Sequence, residues 1–423
     1  MMKVTGFIRK NAKLRRIGLA KLVLLAVTAL APALAAARDI GPDSDLCSVI
    51  NSTPPGEEVV LAPGQYQGPC AIRQGGERGM PLVIRAADPK RRPRIVYGGT
   101  SANVLEVRAS NVTIRGLEFA ATQPDVDAVR IYKANNVTVE DCLFTGLGGI
   151  AVVANHSSLR GLVVRQNVIR DSQATAMYFG CHDGAACTIT GIVIEGNFID
   201  GVTAPEPQIG YGMEVKLNSM AIIRDNIVMN TKGPGIMVYG SRNPAEVSVV
   251  ERNLTIGSRM SSGILVGGGP AIVRNNISVE NEEAGIGLED YKNRGLLRGI
   301  AVVNNTLYRN KTGGIVLPEA GFSGITILNN AAHAGLAPRA FPQARAGVRL
   351  GGNIDCTPMA CFGNPEQQDY SPHAGSLLRG AGVPWGDPAW MPREDFFGNR
   401  RASPPTVGAI EKPSGPIPLK AQQ

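Results

Sequence analysis

Asparagines recur at one position of a regular pattern along this chain, and this pattern constrains the fold more than any other feature. Each follows a short β-branched segment, as in the phrase Val-Arg-Gln-Asn-Val-Ile at residues 164–169. Successive members are 23 to 30 residues apart, and the series is Asn167, Asn197, Asn226, Asn253, Asn276, Asn305 and Asn330, with Leu117 and Cys142 at the same position in the two preceding repeats. A strand-rich period of this length is typical of a solenoid.

Each repeat also contains a second strand-like phrase, in which a glycine precedes alternating apolar residues. Examples are Gly-Met-Glu-Val at 212–215, Gly-Ile-Met-Val at 235–238 and Gly-Ile-Leu-Val at 263–266. Because two strand phrases occur per repeat with no amphipathic helix between them, the pattern favours a parallel β-helix over a leucine-rich horseshoe. The sequence therefore predicts an all-β, single-stranded coil in which equivalent residues of successive turns stack about 4.8 Å apart.

The repeated asparagines are interpreted as scaffold. A buried asparagine at a corner of such a coil can hydrogen-bond its amide to the backbone of the turns above and below. Cys142 replaces one of them and is expected to be an inert buried thiol. The Asn-x-Ser/Thr triplets would be glycosylation acceptors only in a eukaryotic secretory route, and they are more simply part of the repeat.

The first 37 residues have the features of a secretory signal. Met1–Ala37 contains seven basic and no acidic residues, with an apolar run from Leu22 to Leu34 and small residues around Ala35. The run is short for a bilayer span, so we expect cleavage near Ala35 or Ala37, a secreted or periplasmic location and no stable membrane insertion afterwards; an uncleaved anchor is the alternative.

Removing this leader leaves 36 basic against 35 acidic residues. The net charge of +8 for the whole chain therefore does not indicate nucleic-acid binding.

Six of the seven cysteines form local pairs in the sequence. In an oxidising compartment these pairs predict three disulfides, namely Cys47 with Cys70, Cys181 with Cys187, and Cys356 with Cys361. A zinc site at Cys181, His182, Asp183 and Cys187 is the alternative. It is disfavoured because no second pair of cysteines or histidines has ligand spacing.

The remaining chain divides into a cap, a repeat body and a closing segment. Residues 38–98 are expected to form the N-terminal cap and first turns, with a short helix around Leu46 to Ile50. A solenoid needs such a cap because its first rung otherwise exposes an apolar edge. Residues 99–355 carry the β-helix repeats, residues 356–411 form an irregular capping segment rich in proline and glycine, and residues 412–423 are expected to be a disordered tail.

The opening segment resembles that of secreted right-handed parallel β-helix proteins, including the chondroitinase-B-like and alginate lyase family. The resemblance rests on Pro-Gly-x-Tyr at 63–66, Gly-Met-Pro-Leu-Val-Ile-Arg-Ala at 79–86 and Asn-Val-Thr-Ile-Arg-Gly-Leu-Glu-Phe at 111–119. The closing phrases Asp-x-x-Gly-x-x-Arg at 395–401 and Gly-Ala-Ile-Glu at 408–411 resemble the terminal segments of such proteins. The resemblance implies a right-handed, pectin-lyase-like coil, an acidic polysaccharide as partner, and calcium as a candidate cofactor.

Function is expected on the outward positions of the Gly-Ile-x-Val strand, since the inward positions fill the coil. An outward face with tyrosines, a carboxylate and cations suits a cleft for an acidic sugar, because aromatic faces stack on sugar rings and cations meet uronates. We expect substrate contacts from that face and the adjoining loops, at Arg130, Tyr132, Tyr178, His182, Glu214 and Lys232. His182 is also compatible with an ordinary surface loop histidine.

The family resemblance also implies catalytic positions. In that family a Lys-Ser phrase carries the base that removes the C5 proton of a uronate, and Lys216 matches it. The next turn of the family carries an Arg-His-Gly phrase with the partner acid; here Tyr239 occupies the arginine position, and Arg242 is the nearest substitute. The family's calcium-binding carboxylate pair is not reproduced, and Glu214 is the one candidate metal ligand close to Lys216.

β-Elimination needs a base near C5, positive charge beside the uronate carboxylate, and an acid for the leaving oxygen. Lys216 and Tyr239 lie one turn apart, so we expect each to lower the pKa of the other and the two to divide the base and acid roles. Lys232, Arg242 or calcium would supply the positive charge. The alternative for Glu214 and Lys216 is a solvated surface ion pair.

The sequence thus predicts an exported, monomeric polysaccharide lyase that acts on an acidic glycan. Hydrolysis fits less well, because a glycosidase needs two carboxyl groups within about 10 Å. Glu214 and the next outward acid, Glu289, are three turns apart, or about 14 Å. A uronate C5-epimerase shares the deprotonation step and remains an alternative. A non-catalytic glycan-binding or cell-envelope β-helix is the other.

Overall fold

In the computed structural model of this chain, residues 36–182, 186–384 and 390–419 are described. Residues 1–35 of the predicted leader lie outside the described part of the chain. The described residues wind into a solenoid of parallel strands, which confirms the predicted parallel β-helix. Its first strand begins at Ala37, the last residue of the predicted leader, and the carbonyl of Ala36 accepts a hydrogen bond from the Glu58 N–H. The described fold therefore includes Ala36 and Ala37, which lie between the two predicted cleavage positions.

Three long parallel sheets form the walls of the coil. The first sheet contains Ala37–Ile40, Glu58–Leu61, Leu82–Ala86, Val112–Arg115, Val137–Glu140, Leu162–Arg165, Ile192–Glu195, Ala221–Arg224, Ser248–Glu251, Ala271–Arg274, Leu297–Val303, Phe322–Leu328 and Val348–Gly351. The second contains Gln65–Gln67, Arg94–Val96, Glu118–Ala120, Leu143–Thr145, Val168–Ser172, Phe198–Val202, Ile227–Thr231, Leu254–Ile256, Ile277–Val279, Thr306–Tyr308, Ala331–His333 and Ile354–Asp355. The third contains Cys70–Ile72, Leu105–Val107, Val129–Ile131, Val152–Ala154, Met177–Phe179, Met213–Val215, Ile236–Val238, Ile264–Val266, Ala284–Leu288 and Gly313–Val316.

The remaining elements are short. Two α-helices cover Leu46–Ser52 and Pro358–Cys361, and two 3₁₀-helices cover Tyr291–Asn293 and Pro365–Gln367. Leu159–Arg160 pairs with Ile189–Thr190 in parallel, and Phe362–Asn364 pairs with Asp369–Pro372 in antiparallel fashion. The strands of the three long sheets therefore contribute most of the regular structure in the described part of the chain.

The asparagine series forms the corner between the first and second sheets, where it links the turns. Asn226 shows the pattern: its Oδ1 accepts from the backbone N–H and the Nδ2 of Asn197, both at 2.9 Å. Its own Nδ2 donates to the Ile194 carbonyl of the preceding turn and to Asn253 Oδ1. The same pattern of bonds begins at Cys142, whose N–H donates to Asn167 Oδ1. It continues to Asn353, one position beyond the last asparagine of the predicted series. The predicted scaffold role is confirmed.

The residue before each of these positions adopts a left-handed backbone conformation, which turns the chain sharply from the first sheet into the second. Positive φ angles occur at Gly116, Asp141, Gln166, Gly196, Asp225, Arg252, Asn275, Asn304, Asn329 and Gly352. Glycine, asparagine and aspartate tolerate this conformation best and occupy eight of these ten positions. The recurring corner is therefore a property of the local sequence as well as of the asparagine that follows it.

Aliphatic side chains fill the coil, and its first end is covered. Leu46 and Ile50 of the first helix are buried in the main core together with Val59, so the helix caps the first turn as predicted. Phe119 and Phe144 stack inside the coil with ring centroids 5.0 Å apart, one turn from each other. Burial of this apolar surface stabilises the fold by roughly 25 cal/mol per Å².

The three predicted disulfides are all present, which confirms the pairing of six cysteines. They join Cys47 to Cys70, Cys181 to Cys187, and Cys356 to Cys361. Cys142 is a free, buried thiol, and burial raises its pKa to about 12. It stays protonated near neutral pH, as expected for an inert thiol.

The closing segment packs along the outer face of the second sheet. Val407, Ala409 and Ile417 share a buried cluster with Leu254 and Ile277 of that sheet. Ile417 is 4 % exposed, and its N–H donates to the Gln368 carbonyl. The disordered tail predicted from Lys412 is therefore wrong as far as residue 419, because an apolar side chain anchors it; the last four residues lie outside the described part.

The described residues include no helix with the length and apolarity that a membrane span requires.

Candidate functional site

The site lies on the outer face of the third sheet, where the strand register aligns side chains from successive turns. Arg130 pairs with Val153, Val153 with Tyr178, Tyr178 with Glu214, and Glu214 with Met237. Each step is one strand separation, about 4.8 Å. The register therefore brings Arg130, Tyr178 and Glu214 into one column.

Glu214, Lys216 and Tyr239 form one hydrogen-bonded group on this face. Lys216 Nζ donates to Glu214 Oε1 at 2.7 Å, and the Tyr239 hydroxyl donates to the same oxygen at 2.8 Å. Lys216 Nζ also lies 4.1 Å from the centre of the Tyr239 ring and 5.2 Å from that of Tyr178. The Tyr211 hydroxyl lies 3.3 Å from that of Tyr239. The ammonium group of Lys216 thus has a hydrogen bond to Glu214 and two aromatic rings close to it, while Glu214 Oε1 accepts from both Lys216 and Tyr239.

This group faces outward, yet it is buried. The side chains of Glu214 and Lys216 are only 2 % and 3 % exposed. Tyr239, which bonds to Glu214, is covered in turn by a cluster that contains Tyr211, Leu296 and Tyr291. The interpretation of Glu214 and Lys216 as a solvated surface ion pair is therefore wrong. A buried pair of this kind loses much more hydration than a surface pair, so its geometry has to be well matched.

The loop after Leu288 provides much of this cover. The Asp290 carboxylate accepts hydrogen bonds from the N–H groups of Arg294, Gly295 and Leu296, which closes the loop on itself. The Tyr291 ring meets the Tyr239 ring edge to face, with centroids 4.7 Å apart.

Two glycines let this loop approach the sheet closely. A Cβ atom on Gly267 would lie 3.3 Å from Tyr291 Cβ and 2.8 Å from Met237 Cε. A Cβ atom on Gly268 would lie 2.9 Å from Leu296 Cβ. The Gly-Gly-Gly run at 267–269 is therefore the local sequence feature that admits the covering loop.

The environment shifts the pKa values of the polar groups in opposite directions. Burial lowers the pKa of the Lys216 ammonium, and the charges of Arg294 and Lys292 add to this, whereas Glu214 opposes it. Burial raises the pKa of the Tyr239 hydroxyl, and the Glu214 carboxylate raises it further. Burial also raises the pKa of Tyr211. The expected mutual lowering is thus wrong for Tyr239, because its nearest charge is a carboxylate; this phenol stays protonated.

A cavity of about 440 Å³ opens beside this group. Six of the residues predicted from the sequence line it: Arg130, Tyr178, His182, Glu214, Lys216 and Tyr239. Asp127, Tyr211 and Tyr291 line it as well, and sequence reasoning gave Asp127 and Tyr211 no role at the site. The Tyr178 hydroxyl and His182 Nδ1 are 3.4 Å apart, and His182, which follows the disulfide-bonded Cys181, lies at the cavity.

Arg130 lies at the end of the cavity that is three turns from Glu214. Its Nε donates to Asp127 Oδ2 at 2.7 Å, and its Nη1 donates to His156 Nε2 at 2.8 Å. His156 stacks on Tyr132, which also receives the Arg108 guanidinium 4.4 Å from its ring centre. Tyr132 thus belongs to a cluster beside the cavity and is not among the described residues that line it.

The other two predicted cations lie elsewhere. Lys232 pairs with Glu206 at 2.7 Å and lines a neighbouring cavity. Arg242 is exposed, and its backbone N–H donates to Asn218 Oδ1. Arg242 is not among the described residues that line the cavity at Lys216, and it follows the strand that ends at Val238 by four residues. Asp183 lies outside the described residues.

The carboxylates around Lys216 do not fit a calcium ion. Calcium takes six to eight oxygen ligands, whereas Glu214 Oε1 already accepts from an ammonium and a phenol. Within the described residues no group of three or more histidine, cysteine, aspartate or glutamate side chains could hold a metal. Glu214 is thus a partner of Lys216 in this structure, contrary to the metal role inferred from the resemblance.

Comparison with known proteins places this fold among right-handed parallel β-helices. The family model described as "Right handed beta helix region" matches residues 180–337. The structure of XylC with xylose is similar with a TM-score of 0.57 and 10 % identity, and it covers 88 % of this chain and 96 % of XylC. Pectate lyase Pel9A is similar with a TM-score of 0.53 and 12 % identity over 89 % of this chain and 96 % of that protein. The mannuronan C-5 epimerase AlgE6 A-module of Azotobacter vinelandii has a TM-score of 0.48 and 15 % identity over 72 % of this chain and 91 % of the module. No curated protein sequence matches this chain.

Proposed function

We propose that this protein is an exported enzyme that cleaves an acidic, uronate-containing polysaccharide by β-elimination, with Lys216 as the base. The observation that carries the proposal is a buried lysine whose pKa is lowered, held at a cavity on the outer face of the coil. Buried ionisable groups with shifted pKa values concentrate at active sites. The presence of a pectate lyase among proteins with this fold supports the proposal, and the disulfides support export.

The first step is removal of the C5 proton of a uronate. A lysine acts as a base only when its amine is neutral, and burial together with Arg294 and Lys292 favours that form. The hydrogen bond to Glu214 holds the amine in place and offers a carboxylate that can accept its proton. We assign Glu214 as a positioning residue and proton acceptor for Lys216.

The electrons of the broken C5–H bond develop as negative charge on the uronate carboxylate, and this charge needs a cation. Lys292 and Arg294 lie on the covering loop, close enough to influence Lys216 electrostatically. We assign them the role that the sequence gave to Lys232 and Arg242. Both side chains make cation–aromatic contacts with Tyr291, which lines the cavity.

The second step forms the C4=C5 double bond and breaks the bond from C4 to the glycosidic oxygen, which then takes a proton. Tyr211 lines the cavity, and its raised pKa keeps its hydroxyl protonated. The Tyr239 hydroxyl lies 3.3 Å from the Tyr211 hydroxyl and can serve as a second hydrogen-bond donor next to it. We assign Tyr211 as the acid for the leaving oxygen and Tyr239 as the residue that orients Glu214 and Tyr211.

Hydrolysis finds less support. The acids that line the cavity besides Glu214 are Asp125 and Asp127, and burial raises the pKa of Asp127. Both precede the strand of Arg130, which is three strand steps from Glu214. Three steps separate the backbones by about 14 Å, beyond the carboxyl spacing of roughly 5–10 Å that glycosidases use. Asp127 is also engaged by Arg130 and by the Ile150 N–H.

The proposal is tested by incubating the purified protein with alginate, chondroitin and pectic polysaccharides and recording ultraviolet absorbance from unsaturated uronate. We expect product on at least one of them, and a loss of about 10²–10⁴-fold in rate for Lys216→Ala. Lys90→Ala, at an exposed position in the cap, is the matched control and should keep full activity. Binding of these glycans without unsaturated product would instead favour the glycan-binding alternative.

A further inference from the structure

We infer that the loop of residues 289–296 forms a wall across the groove that runs along the outward column from Arg130 to Glu214. The site then accepts the end of an acidic glycan chain and releases small products from that end. This inference rests on the proposed function. The wall makes Tyr291 a specificity-determining residue, because its ring forms the surface against which the chain end would lie.

The outer face of the third sheet changes from accessible to covered at this loop. Arg130 and Tyr178 are partly exposed and line the cavity, whereas Met237 and Tyr239, in the next turn after Glu214 and Lys216, are each 1 % exposed. Tyr291 and Leu296 are packed against them. A chain lying along the outward column from Arg130 towards Glu214 therefore meets the loop at the reactive group, since the side chains of Glu214 and Lys216 are themselves only 2 % and 3 % exposed.

The wall is a built feature, with contacts at both of its ends. Three backbone N–H groups of the loop donate to Asp290, and Gly267 and Gly268 let Tyr291 and Leu296 lie close to the strands. These three hydrogen bonds and two close approaches to the strands hold the loop independently of any ligand. A preformed wall gives chain-end selectivity without a conformational change.

The face beyond the wall has a different chemical character. A second cavity of about 320 Å³ lies there, and it shares Gln208, Ile209, Tyr211 and Tyr291 with the first, so these side chains form the partition between the two. Its walls include Met260, which is 61 % exposed, and the cation in it, Lys232, is already paired with Glu206. A polyanionic chain that continued there would lose hydration of its carboxylates against apolar groups, which is unfavourable.

The activity test follows product size over time on the polysaccharide that the protein cleaves. A walled groove predicts that the smallest unsaturated products appear from the first time points while the polymer stays long. Tyr291→Ala removes the ring that separates the two cavities, and Asp290→Ala removes the carboxylate that accepts the hydrogen bonds of the loop. Both variants should shift the early products to larger sizes. Asp290→Asn keeps an acceptor oxygen and should retain the wild-type pattern, and Tyr97→Ala, a tyrosine in the first turns, should also leave it unchanged. Mixed sizes from the outset in the wild type would overturn the inference.

A binding test does not depend on turnover. Lys216→Ala is titrated with acidic oligosaccharides of the same sugars at several defined lengths, and the number of proteins bound per chain is measured by analytical ultracentrifugation. Chain-end binding predicts a single protein per chain at every length. A number that rises with chain length would contradict the wall even if the protein were active, and single occupancy would support it even if no cleavage were found.

Discussion

The corner between the first and second sheets and the outer face of the third sheet both bury polar side chains, but in different ways. At the corner, neutral asparagines repeat in every turn from Asn167 to Asn353, and those between the two ends bond to their equivalents in both neighbouring turns. On the outer face, Glu214 and Lys216 occur once, and they bond to each other and to Tyr239. Below them in the same column stand Tyr178 and Gly180, and above them Met237 and Tyr239.

The difference separates scaffold from function. A polar group that every turn repeats is satisfied by the geometry of the coil itself, so its burial contributes to stability. A charged pair that appears once gains nothing from the repeat and carries a large desolvation penalty. Its retention beside a cavity is therefore better explained by chemistry than by folding.

The largest effect on stability is expected from breaking the charged pair. Lys216→Met leaves Glu214 buried without its cation, which should lower the free energy of unfolding by about 3–5 kcal/mol. Urea unfolding of the variant and the wild type measures it. Lys90→Met, at an exposed position, is the control and should change little. A loss no greater than that of the control would mean that Glu214 and Lys216 are solvated.

The next largest effect is expected at the corner. Asn253→Ala removes the acceptor of the Asn226 N–H and Nδ2 and the donor to the Ile223 carbonyl. Each unsatisfied buried group costs about 1–3 kcal/mol, so we expect a loss of roughly 2–4 kcal/mol with unchanged activity of the folded protein. Cys142→Ala in the same series should cost less, because the backbone N–H of residue 142 keeps its bond to Asn167. Equal losses of unfolding free energy in the two variants would contradict the role of the asparagine side chains in linking the turns.

The charged pair should also control the pH dependence of the reaction. Lys216 must be neutral to act as a base, so activity should rise with pH, with a midpoint below 10.5 because its pKa is lowered. Glu214 raises that pKa and partly opposes the lowering. Glu214→Gln should therefore move the rising limb to lower pH, by about 1–3 units. A shift to higher pH in the rate profile would contradict the assignment of Lys216 as the base.

The smallest effect on the reaction rate is expected from replacing Arg242, which is not among the described residues that line the cavity. Arg242→Ala should change activity by no more than roughly twofold, as is usual for an exposed side chain away from a site. Arg294→Ala removes a charge next to Lys216 and should lower the rate roughly tenfold. Initial rates of the two variants on one substrate decide between these positions. The reverse order would restore the role inferred from the sequence resemblance.

The same comparison explains what the sequence could predict. The corner repeats, so the position of Asn197 or Asn276 follows from its neighbours, and with it the order of strands and the outward register of Tyr178, Glu214 and Lys216. The covering loop does not repeat. Nothing in the phrase Asp-Tyr-Lys at 290–292 tells that Tyr291 lies on Tyr239, and the burial of the ion pair depends on that contact.

Where the chain leaves the strands, register arguments fail. Arg242 comes four residues after the strand that ends at Val238, and the turn between them carries its side chain into solvent. The glycine run at 267–269 was a usable signal, because consecutive glycines in a strand-rich repeat often mark the close approach of another segment. It predicts that something covers this face, although not which loop does so.

The most direct test of this account is the double variant Glu214→Gln/Lys216→Met, with unfolding free energy and formation of unsaturated product measured on the same preparation. Replacing both charges removes the buried ion pair without leaving either charge alone. We predict that the double variant is at least as stable as the wild type, within about 1 kcal/mol, and forms no product. A double variant that loses several kcal/mol of stability and still forms unsaturated product would contradict the claim that this pair serves chemistry rather than folding.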